Sequence, residues 1–214
     1  MKVQEKGVTY QSQNSYATLN TLSESTEYIW LVFHGIGFLS RYFLKYFTGF
    51  SKSKHYFIAP QAPSKYYLNS EYKHVGASWL TRENTDVEKE NVMAYLDAVW
   101  ASEVIPKRCK LIILGYSQGV SIATRFLAYK KISPYQIMLY AGGLPEELQE
   151  EDFRYLSKDT PISFVYGRRD PYLNPDRLMR EQDKLEGLFA GSAIQHPFDG
   201  GHEFKEELIH KLLL

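Results

Sequence analysis

The sequence predicts an α/β protein, a mostly parallel central sheet with helices on both faces, as one domain over 1–214. Three observations predict it. Short apolar runs of strand length alternate along the chain with stretches of helical spacing. The runs are nearly continuous in apolar residues, as in strands covered on both faces. No repeat, low-complexity tract or long linker divides the 214 residues.

Composition agrees. The apolar share of 44% and the charged share of 23% are ordinary for a globular domain. Lys and Arg number 25 and Asp and Glu 25, so no net charge favours nucleic acid or an anionic membrane. Cys109 is the sole cysteine, so no intrachain disulfide can form. It reads as a reduced, partly buried thiol. The N-terminus lacks the apolar run of a signal peptide, and no segment has about 18 consecutive apolar residues. The expectation is a cytoplasmic protein with no transmembrane segment. The 17 Tyr and 12 Phe must build much of the core, and some are expected to line a pocket.

The elements follow in order. Residues 7–20 alternate weakly around Gln13-Asn14 and read as an edge hairpin. Ile29–Phe33 is a strand that runs into His34-Gly-Ile-Gly37. Leu39, Phe43, Tyr46, Phe47 and Phe50 recur at helical spacing. This aromatic stretch suits a core-facing helix, with an acyl-binding wall or a lipid-docking patch as the alternatives. His55–Ala59 is a strand, and residues 60–82 read as loop. A helix over 83–101 precedes the strand Lys110–Leu114 and a helix over Gln118–Tyr129. Gln136–Tyr140 is a strand, with a helix expected over Pro145–Leu156. Ile162–Tyr166 is a strand followed by Gly167-Arg-Arg-Asp170 and a helix over 175–189. A short strand Ser192–His196 and a helix over His202–Leu213 end the chain.

In such sheets ligands bind beyond the carboxyl ends of the strands. The most telling junction is Gly115-Tyr-Ser-Gln-Gly119, where a strand becomes a helix with no loop between. The pattern G-x-S-x-G alone arises by chance in about one chain in fifteen of this length. At a strand-to-helix turn it means more. The tight turn strains the serine backbone and lifts its hydroxyl clear of the sheet, and the flanking glycines let helix and strand approach. Ser117 is the candidate nucleophile.

A nucleophilic serine needs a general base, and the base needs an orienting carboxylate. Asp170 follows a strand end. Its competitors are Asp159, at the wrong end of that strand, and Asp176, in the next helix. His202 follows Asp199-Gly-Gly201, and His196 is its rival. Oxyanion donors are expected from the backbone N–H of Gln118 and from the loop after Phe33, with Ile36 first and Gly35 next. The His34 side chain reads as structural. No His/Cys/Asp/Glu spacing suggests a metal, and no cofactor is expected.

With these residues in view the chain resembles an α/β-hydrolase. More narrowly, it is similar to the small phospholipase/carboxylesterase family that includes acyl-protein thioesterases. "LVFHGIG", "IAPQAP", "GASWL", "LGYSQGVSIA", "YAGGLP", "VYGRRDP" and "GGHEF" carry the resemblance, in the family's order, over residues 31 to 204. It implies an α/β-hydrolase fold without a separate lid domain. It matches Ser117, Asp170 and His202 to a catalytic triad and Ile36 and Gln118 to the oxyanion donors. It puts Trp79 near the substrate pocket, with Gly35, Phe38 and Leu144 as further substrate-binding candidates. Phe38 stands where the family usually has an acidic residue, and Tyr66, Tyr67 and Tyr72 fill a segment that is atypical of it.

The implied function is a serine hydrolase that cleaves small to medium acyl esters or thioesters, with no nucleic-acid partner. A lysophospholipase or acyl-protein thioesterase on longer chains is the alternative, and an amidase or peptidase shares the chemistry. A non-catalytic ligand-binding relative would be expected to lack part of the triad. A homodimer is compatible with the sequence.

Overall fold

The computed structural model describes residues 3–214. Its centre is a seven-stranded sheet of order β1-β3-β2-β6-β7-β8-β9. These strands are β1 (Tyr16–Leu19), β2 (Tyr28–Phe33), β3 (His55–Pro60), β6 (Lys110–Tyr116), β7 (Gln136–Tyr140), β8 (Ile162–Gly167) and β9 (Ala193–Phe198). All neighbours pair parallel except the edge pair β1–β3. A separate antiparallel pair, β4 (Ser64–Tyr67) and β5 (Val75–Ser78), lies between β3 and the first long helix.

Period two divides the strand side chains between two cores. In β2, Ile29, Leu31 and Phe33 face one core, while Trp30 and Val32 face the other. In β6, Leu111 and Ile113 oppose Ile112, Leu114 and Tyr116 in the same way. The first core is closed by α2 (Thr85–Ala101), α3 (Gln118–Lys130) and α4 (Pro175–Phe189). The second is closed by the short α1 (Ser40–Phe43), the 3₁₀ turn Leu44–Phe47 and α5 (Glu206–Leu212). Both faces are therefore covered, which is why the strands read as continuous apolar runs.

The aromatic stretch after β2 packs as core. Phe43 and Phe47 are fully buried and Phe50 nearly so. Burying each ring stabilises the fold by roughly 1.5–3 kcal/mol. The expected single helix over 39–50 is instead α1 followed by a 3₁₀ turn.

Four other expectations are corrected. The edge hairpin over 7–20 is one strand, β1, which pairs with the distant β3. The Asn14 side chain, read as a local turn signal, donates instead to the Gln61 carbonyl at 2.8 Å. Residues 60–82 contain the β4–β5 hairpin. All four residues of β4 are exposed, so no buried face imposes an alternating pattern.

The segment 145–156 forms only a 3₁₀ turn at Glu150–Asp152, stabilised by a Gln149–Asp152 capping box. The last helix begins at Glu206 rather than His202. The Tyr140 hydroxyl accepts from the Lys205 N–H at 3.1 Å, and the Tyr116 hydroxyl donates to the His202 carbonyl at 3.1 Å. Those bonds hold 202–205 out of the helix. Among the described residues no helix is long and apolar enough to cross a membrane.

Candidate active site

The carboxyl ends of β2, β6, β7, β8 and β9 lie at one edge of the sheet. The chain just beyond them supplies the site. At the end of β6, Ser117 adopts φ 53° and ψ −121°, a left-handed conformation for a residue with a Cβ. Such geometry costs of order 1–3 kcal/mol and persists only where the surroundings enforce it. The Ser117 N–H donates to the Tyr140 carbonyl at 2.8 Å, which pins the turn to β7. Gly119 admits the crossing of helix and strand. A Cβ there would collide with the carbonyl oxygen of Phe33.

Ser117 is also the first residue before α3. Serine at that position ordinarily caps the helix with its own oxygen, but no such side-chain bond forms here. The hydroxyl instead lies 2.8 Å from His202 Nε2. His202 Nδ1 lies 2.7 Å from Asp170 Oδ2. The other carboxylate oxygen, Oδ1, accepts from the Tyr172 N–H at 2.8 Å. The Asp170 side chain is fully shielded from solvent, and that of His202 is 18% exposed. None of the three rivals is in this line, and Asp159 lies in the turn before β8. His196 lies within β9, and Asp176 sits in the first turn of α4.

The structure adds parts that the sequence analysis did not single out. The Tyr116 ring stacks on the His202 imidazole at 5.5 Å, and Tyr172 meets it edge-on at 4.8 Å. Burial, aided by the nearby Tyr46 and Asp170, pushes the Tyr116 phenol above its ordinary value. It stays a neutral donor to the His202 carbonyl. The position of Tyr116 inside the serine motif was the available signal.

The Gln118 side chain has work besides its backbone. Its Oε1 accepts from the Trp79 N–H at 2.8 Å, and its Nε2 donates to the Leu80 carbonyl at 2.7 Å. It thus ties the loop after β5 to the start of α3. Glu181, buried in α4, accepts from the Leu144 N–H at 2.7 Å and fixes the loop after β7. It occupies a core position between Leu178 and Leu185, where a carboxylate in the apolar stripe could have been noticed.

Ser117 and His202 open onto a cleft of about 890 Å³. Ile36, Gln118, Phe38 and Leu144 line it too. Among the described residues, neither the Ile36 N–H nor the Gln118 N–H has a protein acceptor. The N-terminus of α3 adds its positive end at the same place.

Two expected substrate contacts are corrected. Trp79 is fully buried and does not line the cleft. Its indole N–H donates to the His34 carbonyl at 2.8 Å, so it supports the loop from behind. Gly35 does not line the cleft either. It lies behind Ser117, where a Cβ would come within 3.0 Å of the serine Cβ.

His34 is structural. It is fully buried, its Nε2 accepts from the Ala62 N–H at 3.1 Å, and its Nδ1 is 2.8 Å from the Gly35 carbonyl. An N–H donor at Nε2 requires the neutral tautomer with its proton on Nδ1. Burial lowers its pKa to about 4, opposed in part by the Gly35 bond.

No protein-family model and no curated relative matches the sequence. Solved structures match it along nearly its whole length. Acyl-protein thioesterase 2 of Zea mays is 15% identical with a TM-score of 0.67, covering 94% of this chain and 96% of that one. A phospholipase/carboxylesterase from Dyadobacter fermentans is 15% identical with a TM-score of 0.64, over 95% and 98%. Esterase PE8 is 20% identical with a TM-score of 0.63, over 94% and 100%. The chain has the α/β-hydrolase fold. In this chain the connection from β3 to α2 carries only the β4–β5 hairpin.

Proposed function

We propose that the protein is a serine hydrolase that cleaves carboxylic esters or thioesters of small to medium acyl groups. The observation that carries this reading is the unbroken hydrogen-bonded line from Ser117 Oγ through His202 to the buried Asp170. The similar structures described as thioesterase, phospholipase/carboxylesterase and esterase accord with it.

Ser117 Oγ attacks the acyl carbonyl as His202 Nε2 takes its proton. Asp170 holds the imidazole with its proton on Nδ1 and stabilises the imidazolium that forms. The Ile36 and Gln118 N–H groups hold the oxyanion; removing one such donor typically lowers turnover about 100- to 1000-fold. His202 then protonates the departing alkoxide or thiolate, which leaves an acyl-enzyme on Ser117. Water gives a proton to His202 and attacks the acyl carbon, and the acid leaves as Ser117 regains its proton.

The preference for small acyl groups has a physical basis. The cleft wall combines apolar and aromatic side chains, among them Ile36, Phe38, Leu144, Pro145, Tyr172 and Leu173, with arginine, lysine and glutamate side chains. A short acyl group fits the apolar part, whereas a long alkyl chain that ran on over the charged side chains would strip water from them without replacing it. A series of 4-nitrophenyl esters of increasing chain length, with matched acyl thioesters, tests the reading. Short esters are expected to have the higher kcat/KM, and Ser117→Ala to abolish turnover of all. Equal or better turnover of long chains would refute the preference. Undiminished turnover in Ser117→Ala would refute the mechanism.

A further inference from the structure

The charged wall of the cleft has an imbalance that the hydrolytic machinery does not use. Its carboxylates are all engaged. Glu147 accepts from Arg125 Nε at 2.8 Å and from the same guanidinium at 3.3 Å, and it meets Lys89 at 3.4 Å. Glu146 holds Lys184 at 2.6 Å. Glu181 holds the Leu144 N–H and lies 3.7 Å from Arg177 Nε.

Two cleft-lining cations remain, Arg82 and Arg180. Among the described residues neither has an ion pair or a side-chain hydrogen bond. On a chain of zero net charge, the cleft that Ser117 lines therefore carries uncompensated positive charge. A concave site with an excess of one sign of charge concentrates ligands of the other sign.

Both arginines are exposed, Arg82 in the loop before α2 and Arg180 on α4. Arg82 follows the segment that Gln118 anchors through Trp79 and Leu80. Arg180 is on α4, which Glu181 fastens to the loop after β7. Guanidinium is weakly hydrated, planar and forked, and it matches an anionic oxygen pair better than an ammonium does.

We infer that the substrate of Ser117 carries a second, anionic group, a carboxylate or a phosphate, which Arg82 and Arg180 bind. This substrate class rests on Ser117 being the nucleophile. A cationic substrate is disfavoured because each cleft carboxylate already holds a cation. The anion acts as an address for the ester and takes no part in the bond changes.

Two measurements test this, with 4-nitrophenyl valerate, mono-4-nitrophenyl glutarate and 4-nitrophenyl 4-phosphonobutyrate as probes. The first compares kcat/KM. An advantage of about tenfold or more for an anionic ester, mainly through KM, is expected. The ester with the larger advantage distinguishes carboxylate from phosphate. The advantage should shrink at roughly 0.5 M salt, where charge is screened within a few ångströms, and fall towards one in the double variant Arg82→Gln/Arg180→Gln.

The second measures binding of the intact probes to Ser117→Ala by calorimetry, with and without the two arginine substitutions. Equal kcat/KM for the three esters, with equal Kd, overturns the anionic substrate and leaves ester hydrolysis standing. No turnover of any ester, with arginine-dependent binding of an anionic probe, overturns the hydrolase reading and leaves the anion site standing.

Discussion

His202 Nδ1 lies 2.7 Å from Asp170 Oδ2, and the carboxylate it meets is wholly shielded from solvent. The two residues stand 32 positions apart, beyond the ends of β9 and β8. In the proposed mechanism, Asp170 fixes which ring nitrogen carries the proton and leaves Nε2 free to accept one from Ser117. Asp170→Asn keeps the size and the Oδ1 acceptor for Tyr172 but can present an N–H to Nδ1. The wrong tautomer then faces the serine. The expected result is a fall in kcat of about 10⁴-fold with little change in KM. Steady-state kinetics on 4-nitrophenyl butyrate, with far-UV circular dichroism to confirm folding, checks it. A fall of less than tenfold would leave Asp170 no orienting role.

Gln118 separates backbone chemistry from side-chain support. Gln118→Leu retains the N–H assigned to the oxyanion but removes the acceptor of the Trp79 N–H and the donor to the Leu80 carbonyl. An N–H left unpaired in a part-buried site costs about 1–3 kcal/mol. Urea unfolding should show a loss in that range. KM should rise more than kcat falls, because the loop that carries Arg82 loses its tether. Unchanged stability would mean that the loop is held elsewhere.

His34 gives the fold a pH dependence. In the folded protein burial lowers its pKa from 6.5 to about 4, and no charged side chain is among its hydrogen-bond partners. The unfolded chain therefore binds this proton more readily. Stability is full above about pH 6.5 and falls as pH drops from there to about 4, by about 3 kcal/mol from this group. His55, fully packed beside Trp30 and also lowered to about 4, mainly by burial and then by His210, adds in the same direction. Its Nδ1 accepts from the Trp30 indole N–H at 3.0 Å. Nitrogen-detected NMR of the imidazoles should find both neutral at pH 5.5. A His34 midpoint near 6.5 would contradict this.

Much of this was legible in the sequence, and the exceptions have a pattern. The strands of the parallel sheet are covered on both faces, so Ile29–Phe33 and Ile162–Tyr166 stand out as apolar runs. Ser117, Asp170 and His202 each follow a strand end, where a parallel sheet collects its ligands. The misread elements depend on contacts that no local pattern encodes. β4 has no buried face. Residues 202–205 lie outside the helix and are held by the hydroxyls of Tyr116 and Tyr140, which come from other strands. The chain enters the segment after Leu144 from a backbone N–H held by Glu181, 37 residues away. The resemblance puts Trp79 and Gly35 near the substrate, but likeness along the chain does not say which face of the loop a residue presents.

The glycines make a paired test. Gly119 has no room for a side chain beside Phe33, whereas a Cβ on Gly187 in α4 meets nothing within 4 Å. Gly119→Ala should cost about 3 kcal/mol or more, because backbone atoms must shift. Gly187→Ala should stabilise by roughly 0.5–1 kcal/mol through the cost of glycine in a helix. Thermal unfolding of the two variants should move Tm in opposite directions. A tolerated Gly119→Ala would show that helix and strand do not cross as tightly as described.

The strain at Ser117, its missing capping bond and its contact with His202 all make one claim, that this hydroxyl is a nucleophile. Intact-mass analysis after treatment with a fluorophosphonate tests that claim most directly. One phosphonyl adduct per chain, mapped to Ser117 and absent from Ser117→Ala, is the expected result. An adduct that persists in Ser117→Ala, or a wild-type protein that forms none, would contradict it.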